Sequence, residues 1–110
     1  DGSQTRTFTF VDDTVATCIT IMNKKLLEND VINIGCDKVT TVLELAQLVI
    51  RLTNSKSKIV HLPPLKEGDM TRRQPDNQKM REILGRELVS LEEGVKAMMS
   101  NKKYLQSIGL

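Results

Sequence analysis

In "RTFTFV", residues 6–11, apolar and polar side chains alternate, with Phe8 and Phe10 on one face and Thr7, Thr9 and Val11 on the other. A period of two predicts a short strand. The period then changes. In "DDTVATCITIMNKK", Val15, Cys18, Ile19 and Met22 recur at i, i+3, i+4 and i+7, and Asp12 or Asp13 can cap the first turn. That spacing predicts an amphipathic helix with those four side chains facing the core. "DVINIG" predicts a short buried strand ending at Gly35. "TTVLELAQLVIRLTN" opens with Thr41 and Glu44 at capping-box spacing and turns Val42, Leu45, Ala46 and Val49 inward. "KIVHLPP" predicts a third strand, stopped by its two prolines. Pro75 and Asp76 open a short helix with Met80, Ile83 and Leu84 inside and Gly85 at its end. Ser90 and Glu93 form a second capping box, ahead of a helix that turns Leu91, Val95, Met98 and Leu105 inward.

The expected order is β-α-β-α-β-loop-α-α, a mixed α/β (α+β) lobe of three short strands and about four helices. Three strands are too few for a doubly wound sheet. The pattern suits an accessory lobe that packs on another domain, and such a lobe on its own is expected to expose apolar surface and to self-associate. At 110 residues the chain is one domain, residues 1–110. With 39% hydrophobic and 27% charged residues it is not composed as a disordered segment. A net charge of +2 permits a local anionic ligand but gives no broad pull toward nucleic acid or membrane.

Cys18 and Cys36 sit in or beside apolar runs and have no metal-ligand spacing, so they are expected as buried free thiols in a reducing cytoplasm. No signal peptide, lipidation motif or membrane-spanning apolar run is recognisable. The chain opens "DGSQTR" with no initiating Met, as a piece of a longer protein or a processed mature chain would.

His61 stands alone on an apolar strand, which predicts a structural or surface histidine. Neither common type of glycine-rich phosphate loop is present, so the chain is not expected to be an enzyme by itself. What remains is polar and cationic. "LKEGDMTRRQPD" places Lys66, Arg72 and Arg73 around Glu67 and Asp69, Arg6 sits at the first strand, and Asn33 interrupts an apolar one. Guanidinium groups on loops at strand ends are suited to a diphosphate, because they pair with its oxygens in bidentate fashion. The plainer alternative is a solvated loop in which Lys66 and Arg72 offset the two acids, Asn33 satisfies a neighbouring backbone and Asp76 caps a helix. A purely structural interaction module with no ligand is a further alternative, and nucleic-acid binding is another. It fits less well, because residues 66–73 net one positive charge and the aromatic side chains are Phe8, Phe10 and Tyr104.

Taken in order, "DGSQTRTFTFVDD", "VINIG", "EGDMTRRQPD" and "LGRELVSLEEGV" resemble the C-terminal part of the NAD-dependent sugar-nucleotide epimerases and dehydratases, the extended short-chain dehydrogenases. The likeness is to the branch with UDP-glucuronate decarboxylases and dTDP-glucose dehydratases, and runs from Asp1 to about Met99. It implies a longer parent enzyme whose N-terminal Rossmann domain binds NAD and carries a Tyr-Lys pair. Neither the glycine-rich NAD motif nor that pair occurs here. The resemblance implies that this part binds a nucleoside-diphosphate sugar, with Arg6 on the phosphate, Asn33 beside the nucleotide, and Lys66, Asp69 and Arg73 on the loop. It makes Gly94 a structural position. Two departures stand out: Lys66 offers a point charge where the family often has an arginine, and Arg86 replaces the family's usual tryptophan.

Overall fold

The computed structural model describes residues 2–63, 68 and 70–101. In chain order its elements are β1 (Thr5–Thr7), α1 (Val11–Lys24), β2 (Val39–Thr41), α2 (Val42–Thr53), α3 (Gln78–Leu84) and α4 (Leu91–Ser100). β1 and β2 pair antiparallel, with Thr5 opposite Thr41, Arg6 opposite Thr40 and Thr7 opposite Val39. β2 was not expected from periodicity, yet Val39, Thr40 and Thr41 form a β-branched run that suits a pleated surface.

The mixed α/β class and the four helices agree with expectation, but the three-strand scheme does not. Among the described residues the sheet has two strands, and neither residues 31–35 nor residues 58–63 form one. A strand needs a ladder partner as well as a suitable sequence. Around Gly35 that partner is replaced by side chains. The Gly35 N–H points to Met80 Sδ at 3.3 Å, the Gly35 carbonyl accepts from Asn77 Nδ2 at 2.9 Å, and Cys36 N–H donates to Thr9 Oγ1 at 2.7 Å. Val31, expected to be buried, is 80% exposed, and Val60 and Leu62 are exposed as well.

The starts of α2 and α4 follow local chemistry closely, whereas α1 follows Phe10 with no side-chain cap, Asp12 and Asp13 lying inside its first turn. Thr41 and Glu44 form the expected capping box on α2, and Ser90 and Glu93 form the one on α4. The first turn of α2 is held further by the chain before β1, since Val42 N–H donates to Gln4 O and Leu43 N–H to Gly2 O, both at 3.0 Å. These bonds satisfy amides that a helix start otherwise leaves unpaired. Gly85 closes α3 at φ 63°, a left-handed conformation that glycine adopts without steric cost. α2 and α4 are joined by Arg51 Nη2 to Glu92 Oε2 at 2.9 Å, and Lys96 Nζ reaches Glu92 Oε1 at 2.7 Å. The two cations, Arg51 first, hold the Glu92 carboxyl down to about 2.

α1 corrects its expected orientation. Val11, Val15, Cys18, Ile19 and Met22 all face outward, Met22 at 75% exposure, while Asp13 and Thr17 are buried. The polar side is drawn inward because Asp13 is a structural tie. Its Oδ2 accepts Val89 N–H at 2.8 Å, and Arg86 Nη1 lies 2.7 Å from Oδ1 as an ion pair outside the angles of a directed hydrogen bond. A buried carboxylate needs such partners, because desolvating an unpaired charge is costly. Arg86, the departure from the family pattern, supplies one of them. The cysteines are free, but Cys18 is exposed on the outward stripe and Cys36 only half-buried, so neither is the enclosed thiol expected.

Met80 is the fully buried apolar side chain among the described residues. It sits on α3, which packs against α1, while α2 packs against β2 and α4. At the second seam Gly94 on α4 meets the Phe10 ring. A Cβ added there would lie 3.1 Å from Phe10 Cδ2.

Candidate functional site

β1 carries Arg6 at its centre, and the sheet holds the strand from one side through β2. From the other side comes the loop before α3. Thr5 N–H donates to Thr71 O at 2.9 Å, its hydroxyl donates to the same carbonyl at 3.2 Å, and Thr5 forms a parallel bridge with Arg72. These contacts lay residues 71–73 alongside β1 and bring together two arginines 67 positions apart in sequence. Arg6 and Arg73 line one cleft of about 560 Å³, together with Phe8, Ile34 and Pro75.

The two cations are held differently. Arg6 is half-buried, and its Nη1 donates to Thr5 O at 2.8 Å. Arg73 is exposed, its Nε pointing to Met70 Sδ at 3.2 Å, and it has no acidic partner among the described residues. Arg72 bonds the Gln74 side chain, whose Nε2 in turn donates to Asp37 O at 2.8 Å. One arginine of the pair therefore fixes the loop while its neighbour opens toward the cleft. A site with two guanidinium groups beside an apolar wall can take a di-anion next to a ring, and phosphate oxygens match the guanidinium fork.

Asn33 does not line that cleft. It borders a separate polar notch of about 420 Å³ with Val31, Asp76 and Lys79, and its Nδ2 donates to Asp76 O at 3.3 Å. Lys79 closes one side of the notch through a 2.7 Å ion pair with Asp30, whose carboxyl its hydrogen bond pulls below the ordinary range. Lys66 and Asp69 lie outside the described residues. The sequence reading missed Phe8 and Pro75 as cleft walls, as well as the buried Asn77 behind them. The alternation of "RTFTFV" was the available signal for Phe8, while a single asparagine after "PD" offers none. His61 is exposed, in line with the surface reading.

The described residues hold no cluster of three metal-ligating side chains. No helix of the described residues is long and apolar enough to cross a membrane.

The chain is 39% identical over 102 residues to the UDP-N-acetyl-alpha-D-glucosaminuronate decarboxylase of Bacillus cytotoxicus, a match covering 87% of this chain and 32% of that protein. It is 41% identical over 95 residues to UDP-glucuronic acid decarboxylase 1 of Danio rerio, covering 86% of this chain and 22% of the relative. In three dimensions it superposes on the UDP-glucose 4-epimerase of Thermotoga maritima, solved with UDP-glucose. There the TM-score is 0.79 at 35% identity, over 98% of this chain and 33% of the epimerase. The chain matches the C-terminal part of the extended short-chain dehydrogenases, the type to which these UDP-sugar epimerases and decarboxylases belong.

A second member of this family superposes with a TM-score of 0.77 at 25% identity, over 98% of this chain and 34% of its own. It is a mutant UDP-glucuronic acid 4-epimerase from Bacillus cereus, bound to UDP-4-deoxy-4-fluoro-glucuronic acid and NAD. The chain thus spans about a third or less of the length of the proteins it matches. No family model matches the chain.

Proposed function

We propose that residues 1–110 are the substrate-binding lobe of a longer NAD-dependent sugar-nucleotide enzyme, and that the cleft between Arg6 and Arg73 grips the diphosphate of a nucleoside-diphosphate sugar. The observation that carries this reading is the convergence of those two arginines, 67 positions apart in sequence, on one cleft. Both are fixed by backbone pairing around Thr5. The similarity to enzymes solved with UDP-glucose and with a UDP-glucuronic acid analogue supports the choice of ligand class.

The work of these residues is binding and orientation. Arg6 comes from the sheet and Arg73 from the loop, so a bridging diphosphate would tie the two together and fix the sugar relative to the lobe. Phe8, Ile34 and Pro75 form an apolar wall that limits water on one side of the phosphates. A charge-assisted hydrogen bond strengthens where water is excluded. Lys66, nearby in sequence, would add a point charge to the proposed grip, and Asp69, an anion, would meet the ligand away from its phosphates. NAD, which supplies temporary oxidation of the sugar in such enzymes, would be held by residues outside this lobe.

The test is binding of a UDP-sugar to the full-length protein by titration calorimetry. Hydrogen bonds to charged groups contribute about 1.5–3 kcal/mol. Arg6→Ala is therefore expected to weaken the affinity about tenfold or more. An unchanged dissociation constant, with the fold intact by circular dichroism, would remove Arg6 from the site.

A further inference from the structure

Asn77 is the residue immediately before α3, the place where an asparagine usually caps the helix with its own side chain. It does not do so here. It is 3% exposed, and its Nδ2 is turned away from the helix onto the Gly35 carbonyl at 2.9 Å. The helix start is served instead by Asp76, whose Oδ1 accepts Gln78 N–H at 3.0 Å.

Three further contacts close on the same spot. Asn33 Nδ2 donates to Asp76 O at 3.3 Å, and the Gly35 N–H points to Met80 Sδ at 3.3 Å. The third is steric: a Cβ added at Gly35 would lie 2.9 Å from Pro75 Cγ, closer than packed carbons tolerate. Residues 75–77 are thus seated on the 33–35 segment by paired side chains and by the absence of a side chain at Gly35. Two residues before Pro75 stands Arg73, which shares its cleft with Pro75 and Gly35.

We propose that Asn77, with Gly35 beneath Pro75, is a positioning residue for Arg73: it clamps the loop at the point that aims the guanidinium into the diphosphate cleft. The inference rests on the binding role proposed for that cleft. It also gives Asn33 a different task from direct ligand contact, since its amide belongs to the same clamp.

The experiment is a double-mutant cycle on UDP affinity in the full-length protein, using Asn77→Asp, Arg73→Ala and the pair. Aspartate is as good as asparagine at a helix start, so α3 keeps its cap position. What the substitution removes is the donor to Gly35, and it sets a carboxylate against that carbonyl. If Asn77 acts through Arg73, each single variant weakens UDP binding, Arg73→Ala by about tenfold. The pair is then no weaker than Arg73→Ala alone, because residues that act as one unit are not additive.

Ser90→Ala, which removes the cap of α4 away from the cleft, is the control. It lowers the urea midpoint and leaves UDP affinity unchanged. Should Asn77→Asp fail to fold, Gly35→Ala reads the same linkage from beneath Pro75, with the same non-additivity expected. Additive losses, or an unchanged affinity in Asn77→Asp, overturn the positioning role and leave the binding role of the cleft standing. An unchanged affinity in Arg73→Ala overturns the part of Arg73 in that binding role, and the positioning role falls with it.

Discussion

α1 and α4 are helices of similar promise in the sequence, and they end in opposite situations. α4 starts on a reciprocal Ser90–Glu93 cap and half-buries Leu91 and Val95. It brings Gly94 so close to Phe10 that a Cβ would crowd the ring. α1 starts at Val11 with no side-chain cap from Phe10 before it, buries Asp13 and Thr17, and leaves Val11, Val15, Ile19 and Met22 exposed. An apolar stripe predicts that a helix has a side to cover, but does not say what covers it. For α4 the cover over Leu91 and Val95 is Phe10 and its neighbours, while Met98, also expected to face inward, is 47% exposed. For α1 the inner contact is a polar tie, and the apolar side faces out.

The hardest way to break this comparison is through that tie. Asp13→Ala strands the Val89 N–H and leaves Arg86 without its carboxylate. It is expected to cost about 3 kcal/mol, read as a lower urea midpoint, since bonds to charged groups contribute about 1.5–3 kcal/mol and an orphaned buried donor adds to that. A change of less than about 0.5 kcal/mol, the usual range for surface positions, would mean that Asp13 is solvated and α1 is seated some other way. Gly94→Val acts on the opposite helix. Overpacking against Phe10 is expected to cost about 1–3 kcal/mol by the same measurement, and a neutral result would show the α4 seam to be loose.

Acid separates the two helices next. The carboxyls of Glu92, Glu93 and Glu44 are all pulled below their ordinary value of 4.5, Glu92 to about 2 by Arg51 and Lys96, the other two by their capping boxes. Groups depressed in the folded state stabilise it above their ordinary pKa, and the contribution is lost as pH falls through the folded value. Helical signal from α2 and α4 is therefore expected to decline between about pH 4.5 and 2, and Arg51→Met should move the Glu92 part of that decline upward. Salt weakens the effect, because these pairs are exposed. A flat profile to pH 2 would deny the carboxylates that role.

The smallest effect is expected on the outward stripe. Ile19→Ser should change the stability of residues 1–110 by less than about 0.5 kcal/mol in dilute solution while reducing the binding of a dye for apolar surface. A loss as large as that from a core truncation would show that the stripe is covered after all.

These contrasts mark what the chain reveals on its own. Capping boxes at Thr41–Glu44 and Ser90–Glu93 were legible because every participant lies within four residues. The stop at Gly85 was legible for the same reason. "VINIG" reads as a short buried strand, but an apolar run does not supply a ladder partner, and the amides of Gly35 and of Cys36 after it are taken by Met80 and Thr9 from far along the chain. At the site, Arg6 and Arg73 stood out by residue type and by resemblance. That they share a cleft depends on Thr5 pairing with Thr71 and Arg72, a contact that no local pattern announces. Asn77 was invisible because its side chain forgoes the ordinary task of its position.

The account turns on whether a diphosphate sits between Arg6 and Arg73. A crystal structure of the full-length protein with a bound UDP-sugar tests that directly. Phosphate oxygens should stand about 2.7–2.9 Å from both guanidinium groups, the separation of charge-assisted hydrogen bonds. A diphosphate that touches neither arginine, with the cleft filled by solvent, would contradict the proposed site.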